Sequence, residues 1–93
     1  MTTPQPQLLD TVATLSPLTR DRLVQVELEK VPKDGLPIGL VGTVVEVYST
    51  PQTYLVEFAD GEGREYAMAI LPATELLVVH LELTPGDPNL VAA

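Results

Sequence analysis

The sequence predicts an all-β domain, built as a small barrel of five short strands. Runs with a period of two recur along its 93 residues, and β-branched residues fill them. Turns that contain glycine or proline separate these runs at short intervals. A helical period is confined to one short segment near the N-terminus, so the fold class follows from the strands and turns.

Residues 1–20 form an N-terminal extension whose secondary structure the sequence leaves open. The apolar residues of segment 8–15 share one face of a helix, which Ser16-Pro17 would end. The threonine and valine residues of the same segment also suit a strand. The extension is therefore a short helix or an extra strand, and the edge of the barrel depends on which of the two it forms.

The barrel itself is predicted over residues 21–82. Its first strand covers 24–29, where valine and leucine alternate with glutamine and glutamate. An irregular loop with two prolines follows, and it contains a turn at 33–35. The second strand is expected at 41–49 and the third at 53–59, which leaves a hairpin loop at 49–52 between them.

Strict alternation assigns the faces of the second strand. Glu46 must face water, which points Val45 and Val47 into the core. Val44 and Tyr48 then share the outer face with Glu46.

The faces of the third and fourth strands follow from the same rule. Val56 and Phe58 are expected to face inward. The fourth strand alternates two apolar sets, one of alanines and one made of Tyr66, Met68 and Ile70. Either set could be buried, and the larger side chains are the preferred core.

A glycine-containing turn at 60–63 separates the third strand from the fourth, which covers 64–70. Residues 71–75 predict a single 3-10 turn, because Pro72 is tolerated in a first helical turn and the segment is too short for an α-helix. The fifth strand is expected at 76–82, and residues 83–93 form a flexible tail.

This order of elements is typical of an SH3-like barrel. The runs RLVQVELEKVPKDGLPIGLVGTVVEVY, YLVEF, DGEGREYAM and ILPATELLVV resemble a family of short bacterial SH3-like proteins catalogued as a domain of unknown function. GLVGTVVEV is more distantly similar to the KOW motif of ribosomal and transcription-elongation proteins and to the nitrile hydratase β subunit. The family implies no catalytic residue, cofactor or ligand, and the extension from residue 8 departs from its pattern.

The net charge of −8 lies in one part of the chain. Residues 34–93 hold nine acidic residues and Arg64 as their single lysine or arginine, whereas residues 1–33 are balanced. Phosphate backbones are bound by lysine and arginine, so an RNA contact of the KOW kind is disfavoured. An acidic surface instead suits solubility or a basic protein partner.

The residue inventory excludes several other classes of protein. Without cysteine there is no disulfide framework and no thiolate site. No apolar run is long enough to span a bilayer, and the N-terminus lacks the pattern of a signal peptide. We therefore expect a soluble, cytoplasmic protein.

Catalysis has no recognisable basis in the sequence. His80 is the single histidine, and it lies in a predicted strand without a nucleophile motif nearby. Glu82 could join it at a metal, but one histidine and one carboxylate do not make a site. The acidic turn at 60–63 lacks the spacing of a calcium loop. We predict no enzyme activity, no cofactor and no metal.

Protein binding is the predicted function. The expected partner is basic, and a concrete form is the antidote of a toxin pair; the alternative is an accessory domain of an enzyme assembly. Recognition of proline-rich peptides is disfavoured because the chain has four aromatic residues and no tryptophan. The predicted contact face consists of Glu46, Tyr48, Tyr54 and Glu57. In a purely structural interpretation, the two tyrosines pair across the hairpin.

Overall fold

The computed structural model describes residues 5–79, and within them the protein is all-β, as predicted. Three single-turn 3-10 helices accompany the strands, at Arg20–Arg22, Leu28–Lys30 and Ala73–Glu75. The predicted turn before the last strand is thereby confirmed, while the predicted tail at 83–93 lies outside the described residues. The strands are β1 (Thr11–Thr14), β2 (Leu23–Val24), β3 (Val41–Ser49), β4 (Gln52–Ala59), β5 (Glu65–Leu71) and β6 (Leu76–Val78).

All strands join one antiparallel, open sheet in the order β2-β5-β4-β3-β1-β6. The hairpins β3–β4 and β4–β5 form its centre, and their turns lie where the glycine and proline residues predicted them. Strands β2 and β6 are the two edges. Each edge strand follows directly on a 3-10 turn, and a side-chain ion pair between Arg22 and Glu75 links these two turns.

The N-terminal extension contains a strand, so the helix interpretation is wrong and the strand alternative is confirmed. Strand β1 fills the gap between β3 and β6, pairing Val12 with Gly42 on one side and Val78 on the other. Val12 and Thr14 are buried while Thr11 and Ala13 are half-buried, which is the period of two of a strand. A helix in this place would leave the backbone groups of two strands unpaired.

The predicted first strand is much shorter than expected. Only Leu23 and Val24 pair with β5, because Gln25 takes a left-handed conformation (φ 47°) and turns the chain out of the sheet. The segment that follows is shaped by Arg20, whose guanidinium donates hydrogen bonds to the carbonyls of Leu28, Val31 and Pro32. Local alternation over 24–29 therefore does not lead to a full strand.

Strand β3 has the predicted bounds, but its faces follow the prediction only after the bulge. A β-bulge between Val44 and Glu46 inserts one residue, so both can take their preferred sides: Val44 is fully buried and Glu46 is exposed. Val45 is half-buried and Val47 remains 42% exposed near the hairpin end. The predictions that Val45 points into the core and Val44 to the outer face are wrong, because strict alternation cannot anticipate a bulge. Val47 lies opposite the buried Tyr54 and therefore on the predicted side, although the hairpin end leaves it partly uncovered.

In β4 the prediction is confirmed, since Val56 and Phe58 are fully buried. In β5 it is wrong, because the alanines Ala67 and Ala69 face the core. Ala67 pairs with Phe58 and Ala69 with Val56, so the larger side chains of β4 already fill the space above the small ones. Gly42 of β3 makes room in the same way, because a Cβ there would lie 2.7 Å from a Val56 methyl carbon and 3.0 Å from the Phe58 ring.

Candidate functional site

The sheet has a buried face and an outer face that looks away from the core. Glu57 faces outward because it lies between the buried Val56 and Phe58 of β4. The bulge in β3 sets Glu46 and Tyr48 opposite Leu55 and Thr53, which alternate with the buried residues of β4, so both belong to the same outer face. Glu46 lies opposite Leu55 across the hairpin, and Glu57 lies between Thr43 and Met68. Three of the four residues predicted to form a contact face therefore share one side of the sheet.

Tyr54 does not belong to that face. Its side chain is fully buried, and its hydroxyl accepts a hydrogen bond from Gln52 Nε2 (2.9 Å) and donates one to Gln5 Oε1 (3.3 Å). It is a core residue with a satisfied polar tip. Tyr48 pairs with Thr53 and Tyr54 with Val47, so the two tyrosines do not pair across the hairpin either. The prediction of Tyr54 as a contact residue is corrected for this reason.

Neither of the two face carboxylates has a lysine or arginine as its counter-ion. All five lysine and arginine residues lie within residues 5–79, and none of them comes within 4 Å of the carboxylate of Glu46 or Glu57. Four of these cations have partners elsewhere: Arg20 with backbone carbonyls, Arg22 with Glu75, Lys30 with Glu27 and Asp60, and Arg64 with Glu62. The outer face consequently carries uncompensated negative charge around Glu46 and Glu57.

Glu65 adds a third acid that the sequence did not single out. A register shift in the β4–β5 ladder, after Phe58, sets Glu65 opposite Ala59. The Glu65 carboxyl group then lies within hydrogen-bond reach of Glu57. The hydrogen bond that protonated Glu65 donates to the Glu57 carboxylate, partial desolvation and repulsion by that neighbour raise the pKa of Glu65 above its ordinary value. Two carboxyl groups that crowd each other favour an arriving cation. The period of two in β4 and β5 was the sequence signal that could have placed Glu65 beside Glu57. It was not sufficient, because the register shift after Phe58 changes which residues of the two strands are neighbours.

Apolar side chains lie beside these acids on the outer face. They are Val24, Leu55, Met68 and Ile70, which we call the outer apolar cluster. Each is directly flanked along its strand by a buried residue and so points the other way. Sequence reasoning missed this cluster because it placed Met68 and Ile70 in the core.

The described residues carry no metal centre. Within 5–79, no group of three or more histidine, cysteine, aspartate or glutamate side chains is arranged to hold an ion. His80 and Glu82, the pair considered for a metal, lie outside this range. Over the same part of the chain, no helix is long and apolar enough to cross a membrane.

Two shallow depressions open on the surface near the acids. One is lined by Gln25, Val26, Glu27, Glu65 and Tyr66. The Tyr66 side chain is partly buried there, which raises the pKa of its hydroxyl. The other is lined by Leu8 together with residues 45–47 at the β3 bulge. Both are open surfaces rather than enclosed pockets, so they suit contact with a macromolecule better than enclosure of a small ligand.

The chain belongs to the family described as Domain of unknown function (DUF4926), which matches residues 8–78. The prediction that the chain belongs to a family catalogued as a domain of unknown function is confirmed. The match begins at residue 8, so the segment expected to depart from the family pattern lies within it, consistent with β1 being part of the sheet. No curated protein and no solved structure matches the chain.

Proposed function

We propose that this protein is a non-enzymatic, acidic module that binds and neutralises a basic partner protein, as the antidote of a toxin pair does. One observation carries the proposal: Glu46, Tyr48 and Glu57 share the outer face of the sheet, and no lysine or arginine compensates either carboxylate. A partner that presents cations at this face gains the compensation that the chain itself does not provide.

The charge of the whole chain supports the same partner. A net charge of −8 attracts a basic protein over several ångströms and speeds its capture. It also repels phosphate, so the KOW-like resemblance does not lead us to an RNA partner. The family adds no activity to this argument, because its description assigns none.

We further infer that the open sheet is an SH3-like barrel. The support is the run of hairpins β3–β4–β5, followed by a single 3-10 turn and a short last strand. The contact between Arg22 and Glu75 brings the two edges of the sheet near each other, as bending towards a barrel requires. A solved structure with measured edge-to-edge distances tests this part of the proposal.

The partner proposal is tested by capture with matched charge variants. Tagged wild-type protein, a Glu46→Lys/Glu57→Lys variant and a Glu29→Lys/Asp34→Lys variant are used to capture proteins from native lysate. Both variants change the net charge equally. Glu29, in the 3-10 helix Leu28–Lys30, and Asp34, in the segment that follows it, are exposed and belong to none of the strands that form the outer face. We expect one basic protein to be retained by the wild type and by the loop variant, and to be lost from the face variant.

A functional readout completes the test. The captured protein is produced with and without this chain, and co-production should suppress its activity. The proposal is wrong if the captured protein is acidic, if both variants lose it equally, or if the face variant still holds it. Failure of suppression with intact binding would remove the neutralising role and leave a binding module.

A further inference from the structure

The outer apolar cluster is continuous across three strands. Val24 pairs with Met68, and Ile70 pairs with Leu55. Met68 and Ile70 are alternate residues of the same strand, so all four side chains adjoin on one surface. Val24 is 40% exposed and Ile70 is 45% exposed, and such a contiguous apolar surface on an acidic protein is suited to contact.

The cluster has the dimensions of a single helix. Three neighbouring strands span about 10 Å across the sheet, and two residues span about 7 Å along it. An α-helix with its side chains is about 10 Å wide. Beyond the cluster, the outer face continues with Thr43 and Thr11, which pair with each other and are polar. A packed sheet would have to cover those threonines, whereas one helix would not.

The edges of the sheet offer little to an added strand. Strand β2 is two residues long and β6 three, and Gln25 leaves the sheet directly after β2. Short edges are a usual protection against strand addition, because they present few unpaired backbone groups in a row. Binding of a partner to the face of the sheet is therefore more favourable than the addition of a strand to one of its edges.

Acids border the cluster on two sides. Glu57 adjoins Met68, and Glu46 adjoins Leu55. A second copy of this chain would bring its own charge of −8 to this border, which disfavours self-association. An apolar stripe flanked by lysine or arginine fits both parts of the surface.

We propose that the outer apolar cluster is the binding site for an amphipathic helix of the basic partner. The lysine and arginine side chains of that helix would pair with Glu46 and Glu57. This rests on the proposed function and specifies the partner's binding element. The apolar stripe of the helix covers the four side chains of the cluster, and desolvation strengthens the ion pairs at its border.

The test uses three synthetic peptides of identical leucine and lysine composition, each about 15 residues long so that a helix can form on binding. One has the helical period, one alternates strictly as a strand, and one is scrambled. Binding to ¹⁵N-labelled protein is followed by amide chemical shifts. We expect the helical peptide to bind at least about tenfold more tightly than the scrambled one and to perturb the amides of the cluster.

Two matched variants locate the site. Ile70→Ser removes one exposed apolar side chain from the cluster, and Ile38→Ser removes one from a loop elsewhere, where Ile38 is 62% exposed. Ile70→Ser should weaken the helical peptide by about tenfold, and Ile38→Ser should leave its affinity unchanged. The peptide comparison on the wild type stands even if a variant does not fold.

Equal affinity for the helical and scrambled peptides would overturn the inference. So would stronger binding of the alternating peptide with shifts at β2 or β6, shifts away from the cluster, or concentration-dependent shifts of the cluster without any peptide, which would indicate a second copy. The proposed function fails separately, since it depends on the capture of a basic protein by Glu46 and Glu57.

Discussion

Arg22 and Glu75 form a bidentate ion pair, with Nη1 of Arg22 2.6 Å from Oε1 of Glu75 and Nη2 2.8 Å from Oε2. Arg22 comes directly before edge strand β2, and Glu75 directly before edge strand β6. The two strands lie at opposite ends of the sheet order and share no backbone ladder there. The ion pair therefore joins edges that main-chain hydrogen bonds leave apart.

Replacing Glu75 with glutamine should lower the free energy of unfolding by about 1 kcal/mol at neutral pH, because a geometrically ideal, partly buried pair is stronger than an average surface pair. Thermal or urea unfolding measures this. Glu62→Gln is the control, since Glu62 and Arg64 form their ion pair with exposed side chains and its loss should not be measurable.

The Arg22–Glu75 pair also predicts a pH dependence. The hydrogen bond from Arg22 lowers the pKa of Glu75 below its ordinary 4.5, while the carboxylate raises the pKa of Arg22. A lowered pKa in the folded state means that the stabilisation is present above pH 4.5 and is lost as the pH falls through the lowered value. The difference between wild type and Glu75→Gln should therefore vanish in acid. A difference that persists there would show that shape, not charge, is responsible.

Gly35→Ala should destabilise the protein strongly. Gly35 has φ 90°, and a Cβ at this residue would lie 1.9 Å from the carbonyl oxygen of Leu18. Leu18 and Leu36 exchange backbone hydrogen bonds of 2.9 and 2.8 Å beside it, so the clash must break this bridge. We expect a loss of about 3 kcal/mol or more, measured by denaturant unfolding. Gly61→Ala, with open space around it, should change stability little, and a similar loss there would contradict the explanation.

Thr14→Val should cost about 1–3 kcal/mol although the shape is preserved. The Thr14 hydroxyl is buried, donates to the carbonyl of Pro37 (3.2 Å) and accepts from the amide of Leu40 (3.0 Å). Valine leaves both backbone groups without this partner. Thr11→Val in the same strand is the control, because Thr11 is only half-buried; hydrogen exchange of the Leu40 amide should accelerate in Thr14→Val alone.

Glu57→Gln should raise the thermal midpoint at pH 7. The neighbouring Glu57 raises the pKa of Glu65 in the folded protein. At neutral pH both carboxylates are ionised, and their repulsion destabilises the folded state increasingly as the pH rises through the pKa of Glu65. Glutamine removes that repulsion. The gain should shrink near pH 4, and Glu29→Gln, with the same change in net charge, should give a smaller gain. Equal gains would assign the effect to overall charge instead.

How far the sequence predicts this protein is clearest in the central hairpins. The bounds of β3 and the turns after β3 and β4 follow from glycine, proline and β-branched residues, which act locally. The faces follow only in part: Val56 and Phe58 are buried as alternation predicts, whereas the bulge at Val44 and the packing of Phe58 on Ala67 depend on the partner strand. The candidate site shares this limit. Glu46, Tyr48 and Glu57 were placed correctly on the outer face, whereas Tyr54 was misplaced.

By itself, the sequence determined the all-β class, the positions of the central strands and turns, the acidic character and the family. These depend on local conformational preference and on composition. Only the tertiary structure decided that residues 11–14 form a strand, that the alanines of β5 are buried, and that Met68 and Ile70 meet Val24 and Leu55 on the outer face. The physical reason is that burial depends on which strand lies beside which and on how large side chains fill the space between them.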